Sequence, residues 1–393
     1  MIGKSVFKSR NISFLFAAQF FGGMLFFLPV VALYFERELF TLQNVALIYA
    51  TRSVLTVLLE VPTGAIADLF GRVVTIRIAF AVFLVSLVFL YTGGSLAMFL
   101  TYSFFWAMAS SLESGTNNAF IYDSLVEEGR EKEFKKINGL YQVMWMIGAA
   151  IGSIAGGYMA VVSLRFPILL TFIPVAISLF FTFGLREPKY EKEDHRNVLK
   201  QMKDSSKVLF NSSNLILIAV IGFALVGFSE TTHMMRAIFY NFKGVPIVYF
   251  GYFAAATFSL ASLGFYFSHW ISERVNEKWF LFFSVVIGGM FVLGATFTSD
   301  WRLAALFMIL PSLFYGLRGP VIADIVNREV GSSKRATVNS LVNFAKQLGT
   351  ASAAPFIGYF ADLYDIGVAF QLTGVGIILV SVLFLGLKRK NKV

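Results

Sequence analysis

The 393-residue chain contains no cysteine, which excludes disulfides and thiolate metal sites. Histidine is nearly as scarce. The three present, at positions 195, 233 and 269, are too scattered to form a ligand cluster with metal spacing. Charged residues supply only 14% of the chain, against 57% hydrophobic. A soluble surface needs far more charge, so a soluble globular domain of this length is excluded. No glycine loop ending in Gly-Lys-Ser or Gly-Lys-Thr is present, which argues against ATP-driven transport on this chain. Acidic residues number 23 against 33 basic, for a net charge of +10. The basic residues gather between apolar runs and at the ends, so no nucleic-acid partner is expected. No metal or organic cofactor is expected either.

Long apolar runs make up most of what remains. A helix crossing the ~30 Å hydrocarbon core needs about 20 apolar residues. Twelve runs qualify, over approximately 11–34, 42–65, 74–92, 95–121, 137–161, 166–185, 214–235, 247–270, 279–298, 302–323, 337–361 and 367–387. The first carries no cleavage signature and is read as a retained helix. The segments 1–10, 66–77, 124–136, 186–212, 271–278, 325–335 and 388–393 hold 25 of the 33 basic residues, and the alternate loops hold five. That asymmetry predicts both termini in the cytoplasm of a multi-pass inner-membrane protein.

The longest polar stretch, 186–212, divides the chain. It predicts a six-helix bundle over 1–185, a solvated cytoplasmic linker over 186–212, and a second six-helix bundle over 213–393. The halves echo one another. Gly148 with Gly157-Tyr158 parallels Gly349 with Gly358-Tyr359 at an offset of 201, and Gly115 with Ala119 parallels Gly319 with Ala323 at 204. Repeats of this kind in a polytopic protein point to a two-half transporter with its substrate near the midplane. The expected fold class is an all-α membrane protein, twelve transmembrane helices in two pseudo-symmetric bundles, working as a monomer in the lipid bilayer.

Residues 64–72 read G-A-I-A-D-L-F-G-R, between the second and third runs. Glycine suits close backbone approach or positive φ in so short a connection, and charges at a helix end can pair with a neighbour. The segment resembles the loop between the second and third helices of the major facilitator superfamily, G-x-x-x-D-x-x-G-R. Gly64, Asp68, Gly71 and Arg72 match it, whereas Val73 stands where a basic residue is common. S-L-E-S-G-T-N-N-A-F-I-Y-D-S-L in the fourth run looks like a bacterial subgroup of these transporters with a closing aspartate at the cytoplasmic helix end. Asp123 is therefore expected to pair with Arg72 as a cytoplasmic latch. The second half keeps only a degenerate echo at 264–278, where Ser268 replaces the aspartate, so the latch is expected to be one-sided.

In the fifth run Gly148, Gly152 and Gly156 fall on one helix face and, with Gly157, invite close interhelical packing. G-x-x-x-G-x-x-x-G-G is similar to the fifth-helix motif of the superfamily's drug–proton antiporters, with Ser153 where proline is usual. That resemblance implies a seam between halves. The arginine such antiporters carry in the fourth helix is replaced by Ser111.

Ionisable residues deep in a membrane span are costly and usually functional. Glu113 and Glu230 are candidate proton carriers, because a carboxylate can change charge as its solvation changes. Arg52, Asn117, His233, Arg236, Arg318 and Lys346 are candidate cavity residues. Trp106, Tyr141 and Trp145 join them as aromatic candidates that also suit core packing. Glu113 and Arg318 sit at corresponding depths of the fourth and tenth runs and are expected to face each other. The function expected from these features is proton-coupled efflux of small lipophilic or amphiphilic compounds, as in an antiporter for multidrug efflux. The alternatives are carriage of a defined polar or zwitterionic metabolite and lipid transfer. No nucleophile–base arrangement supports an enzyme, and no extramembrane domain supports a receptor.

Overall fold

The computed structural model describes residues 9–189, 209–272, 274–331 and 335–388, without the side chains of 61, 64–68, 272 and 336. The expected linker 186–212 therefore lies largely outside the described residues. Every regular element described is helical. The first span is Arg10–Gly23 with Val31–Leu39, the second Leu42–Phe70, the third Arg72–Thr92 and the fourth Leu96–Glu127. The fifth is Phe134–Val162 and the sixth Arg165–Thr182. The seventh is Ser213–Met234 with Arg236–Phe242, the eighth Val248–Ser272 and the ninth Glu277–Phe297. The tenth is Trp301–Ile309 with Pro311–Glu329, the eleventh Arg335–Leu363 and the twelfth Ile366–Ser381, closing in a short 3-10 turn.

The starts of these helices follow from local chemistry. Ser9, Ser95, Ser212, Asn276, Asp300 and Asp365 each place a side-chain oxygen on a first-turn N–H, satisfying donors a helix leaves unpaired. The interruptions are less regular. After Gly23 the first span opens until Val31, across a stretch holding Pro29, which has no N–H to give. Pro311 restarts the tenth span at a first helical position, where its missing N–H costs nothing.

The second span corrects one expectation. Its helix runs through G-A-I-A-D-L-F to Phe70, so most of the motif is helical and Gly71 alone makes the connection. Gly71 has φ +88°, a conformation that favours glycine.

Among the described residues nine helices are long and apolar enough to cross a bilayer. The first, fourth and eleventh spans are not among them. The first is broken in two, and the other two carry Ser, Thr, Asn and charged residues at membrane depth. These three polar spans supply Gln19, Glu113, Asn117 and Lys346.

The chain groups into two compact units. One holds the first six spans apart from residues 40–50, together with Pro246–Ala255 of the eighth; the other holds the rest. In the first unit the glycine row of the fifth span meets the first span. A Cβ at Gly148 would strike the Phe20 carbonyl, one at Gly152 the Met24 backbone, and one at Gly156 the Phe26 carbonyl. The row thus lines a seam inside the unit. Only Gly157, with Val248 and Gly251 against it, reaches the eighth span. The second unit repeats the device: a Cβ at Gly349 would strike the Phe223 carbonyl.

Candidate functional site

Asp123 and Arg72 meet at the basic-loop end of the first unit. Arg72 Nε donates to Asp123 Oδ2 at 2.6 Å. Glu187, just past the sixth span, accepts from the Arg72 and Val73 backbone N–H groups at 2.7 and 2.8 Å. It therefore caps the third helix where Gly71 has no side chain to do so. The side chain of Asp68 lies outside the described residues. Between the fourth and fifth spans Arg130 is held by Glu128 and Glu133. Their hydrogen bonds, that of Glu133 foremost, push its guanidinium above the ordinary arginine range.

The second unit overturns the one-sided expectation. Arg328, near the end of the tenth span, donates to both carboxylate oxygens of Glu277 at the start of the ninth, at 2.8 and 2.7 Å. This joins the same two helix ends as Arg72–Asp123 with the charges exchanged. A second correspondence lies beside it. Asn11 Nδ2 donates to the Arg186 carbonyl at 3.0 Å and its Oδ1 accepts from Arg186 N at 2.9 Å. Asn214 repeats the pair with Lys388, at 3.0 and 2.9 Å. Sequence reasoning missed Glu187, Glu277, Arg328 and both asparagines; the 203-residue offset between Asn11 and Asn214 was the available signal.

Inside the first unit the polar residues connect. Asn117 Nδ2 donates to the Tyr141 hydroxyl at 2.7 Å, and that hydroxyl donates to Gln19 Oε1 at 2.7 Å. Asn117 is buried and its Oδ1 has no partner among the described residues. Glu113 lies one turn earlier on the same face, within electrostatic reach of Tyr141. Among the described residues it makes no hydrogen bond or ion pair. Tyr141 is thus a buried network member, and Gln19 is its unforeseen anchor. Arg52 stands over the Trp106 ring at 5.4 Å, within a cluster that includes Phe27, Phe83 and Tyr102. Trp145 gives its backbone to a close approach by Gly23.

Inside the second unit the balance of charge differs. Arg236 is buried and satisfied, with Nη1 donating to Thr257 Oγ1 at 2.8 Å and Nη2 set 2.7 Å from His233 Nδ1. Glu230 acts electrostatically on Tyr315 of the tenth span. Arg318 is buried and lies over the Tyr315 ring at 5.9 Å. It makes no hydrogen bond or ion pair among the described residues. Lys346 lays its stem against Gly222 and likewise has no such partner there. Each bundle can therefore hold a charged or polar solute, through acceptors in the first unit and cations in the second. Among the described residues no group of His, Asp or Glu could hold a metal ion.

The sequence model of the Major Facilitator Superfamily matches residues 12–277 and 244–393, nearly the whole chain. The chain belongs to the Major Facilitator Superfamily. It is 27% identical over 203 residues to YxaM of Bacillus subtilis (strain 168), an uncharacterised transporter of this type, and spans about half the length of that relative, or 50% of each chain. The fold is that of solved members. A mutant of the nucleoside transporter NupG superposes with a TM-score of 0.85 at 14% identity, covering 95% of this chain and 98% of that one. The D-xylose–proton symporter gives 0.77 at 13%, covering 97% of both chains. A bacterial homologue of the human lysosomal transporter Spinster, inward-facing and occupied, gives 0.72 at 14%, covering 95% and 94%. The twelve-helix membrane fold and the transporter family are those read from the sequence.

Proposed function

We propose that this transporter is a proton-coupled symporter of a polar, hydroxyl-bearing metabolite, with Glu113 as its proton carrier. The observation that carries this reading is Glu113 itself, a carboxylate fourteen residues from the nearer end of a membrane helix and without an ionic partner among the described residues. An isolated charge at that depth costs about 3 kcal/mol by insertion measurements, which favours a role in transport over packing. Beside it, Asn117 offers an unfilled acceptor held by Tyr141 and Gln19. Acceptors of this kind suit hydroxyl donors. The D-xylose–proton symporter among the structural neighbours supports the same direction.

In this cycle Glu113 takes a proton on the acidic side of the membrane and releases it on the other. A neutral or anionic solute does not compete for that carboxylate, so solute and proton travel together. A lipophilic cation does compete, and competition produces antiport. The glycine row and the Arg52–Trp106 aromatic cluster favour that second reading, efflux of lipophilic compounds. The termini are assigned to the cytoplasm from the distribution of basic residues. There the Arg72–Asp123 and Glu277–Arg328 pairs act as latches, each bracing the helix ends of its own unit during the transport cycle.

Purified protein in liposomes with an imposed pH gradient tests the proposal. Polar solutes should move protons in their own direction, and dyes should not. Proton movement opposite to a lipophilic cation would replace symport with efflux. No proton movement with either class would remove the coupling claim.

A further inference from the structure

The proposed symporter leaves one requirement unmet in its second unit, and it concerns the sign of the cargo. Arg318 lies eleven residues before Glu329, and Lys346 lies eleven after Arg335. Both are therefore roughly 16 Å of helix rise from the basic-loop ends of their spans. Arg318 is 9% exposed and lies over the Tyr315 ring. Neither cation has a carboxylate within ion-pair distance among the described residues. Glu230 of the seventh span acts electrostatically on Tyr315, and Arg318 is without an ion pair among the described residues. Arg236 is already satisfied by Thr257 and His233. A buried cation is tolerated when an anion completes it, and removing the anion leaves a costly uncompensated charge. A guanidinium also presents a planar fork of donors that matches carboxylate or phosphate oxygens.

We infer that the transported metabolite is an anion, with its carboxylate or phosphate on Arg318. The inference rests on the transport reading above and adds the sign of the substrate. Arg318 supplies the paired hydrogen bonds, and Lys346 supplies favourable charge at the same depth. One proton carried with each monoanion makes the cycle electroneutral, so uptake should not respond to membrane potential.

Two measurements test this. The first gives liposomes a mixture of glucose, glucuronate and glucose 6-phosphate together with a small-metabolite extract, and identifies by mass spectrometry what accumulates under a pH gradient. Anions should dominate, the carboxylate and phosphate arms should name the group, and Arg318→Gln should reduce accumulation at least tenfold. Arg318→Lys should retain part of it. Accumulation of neutral solutes, unchanged in Arg318→Gln, would overturn the anion while leaving the symport reading intact.

The second measurement needs no substrate. Because Arg318 has no ionic partner among the described residues, Arg318→Met should raise the melting temperature of the purified full chain without ligand. A fall would make Arg318 a structural residue and sink the inference, even if nothing in the mixture accumulates.

Discussion

Among the described residues, the interiors of the two units differ in the sign of the charge that has no ionic partner. The first holds a carboxylate, Glu113, beside an amide–phenol–amide chain of Asn117, Tyr141 and Gln19. The second holds a guanidinium and an ammonium, Arg318 and Lys346, while Arg236, also buried, is tied down. Two bundles of similar helical plan have thus been given opposite chemistry. We read the contrast as a division of labour, with the proton on the first unit and the solute's charge on the second.

The largest effect expected from breaking this contrast is at Arg318. Arg318→Gln should raise KM for the anion about a hundredfold, since losing a charge-assisted pair of hydrogen bonds costs about 3 kcal/mol. Both exchange and accumulation should then fall at low substrate concentration. An unchanged KM would show that the solute is held elsewhere. Next comes the network that orients the acceptors of the first unit. Tyr141→Phe removes a hydroxyl that bonds two amides and should cost roughly tenfold in transport efficiency. Because Tyr141 positions Asn117, Asn117→Ala combined with Tyr141→Phe should be no worse than the poorer single variant. Additive losses would deny that they act together.

The latches should give the smallest effects, because partly exposed ion pairs contribute up to about 1 kcal/mol. Asp123→Asn should slow transport severalfold, and Arg72→Asp with Asp123→Arg should restore most of the rate. Arg328→Gln should do less, since the Glu277–Arg328 pair is about a third exposed whereas Arg72 and Asp123 are more buried. A larger loss at Arg328 would reverse the order of the two ends.

Much of the architecture was legible from the residues. Apolar runs locate the spans because a bilayer demands length and apolarity together, a demand that nine of the described helices meet in full and the first, fourth and eleventh do not. The Arg72–Asp123 contact was legible through motif resemblance. Its counterpart was hidden because Glu277 and Arg328 exchange the signs, and a pattern keyed to aspartate passes over them. Glu187 was hidden for another reason. It caps the third helix from beyond the sixth span, a contact that no local pattern encodes. The interruption of the first span is written only in the Gly22-Gly23 and Pro29 spacing, which an apolar count smooths over. Tyr141 read as one aromatic among many until Asn117 and Gln19 were seen on its hydroxyl.

The central claim is that the proton resides on Glu113 while the solute's charge is held elsewhere. The measurement that tests it most directly is solute counterflow in Glu113→Gln liposomes at equal pH, run beside uptake driven by a pH gradient. Counterflow should stay within about threefold of the native protein, because a neutral side chain mimics the protonated carboxylate, while accumulation against the gradient disappears. If accumulation survives in Glu113→Gln, the proton is carried by another group and the division of labour is wrong.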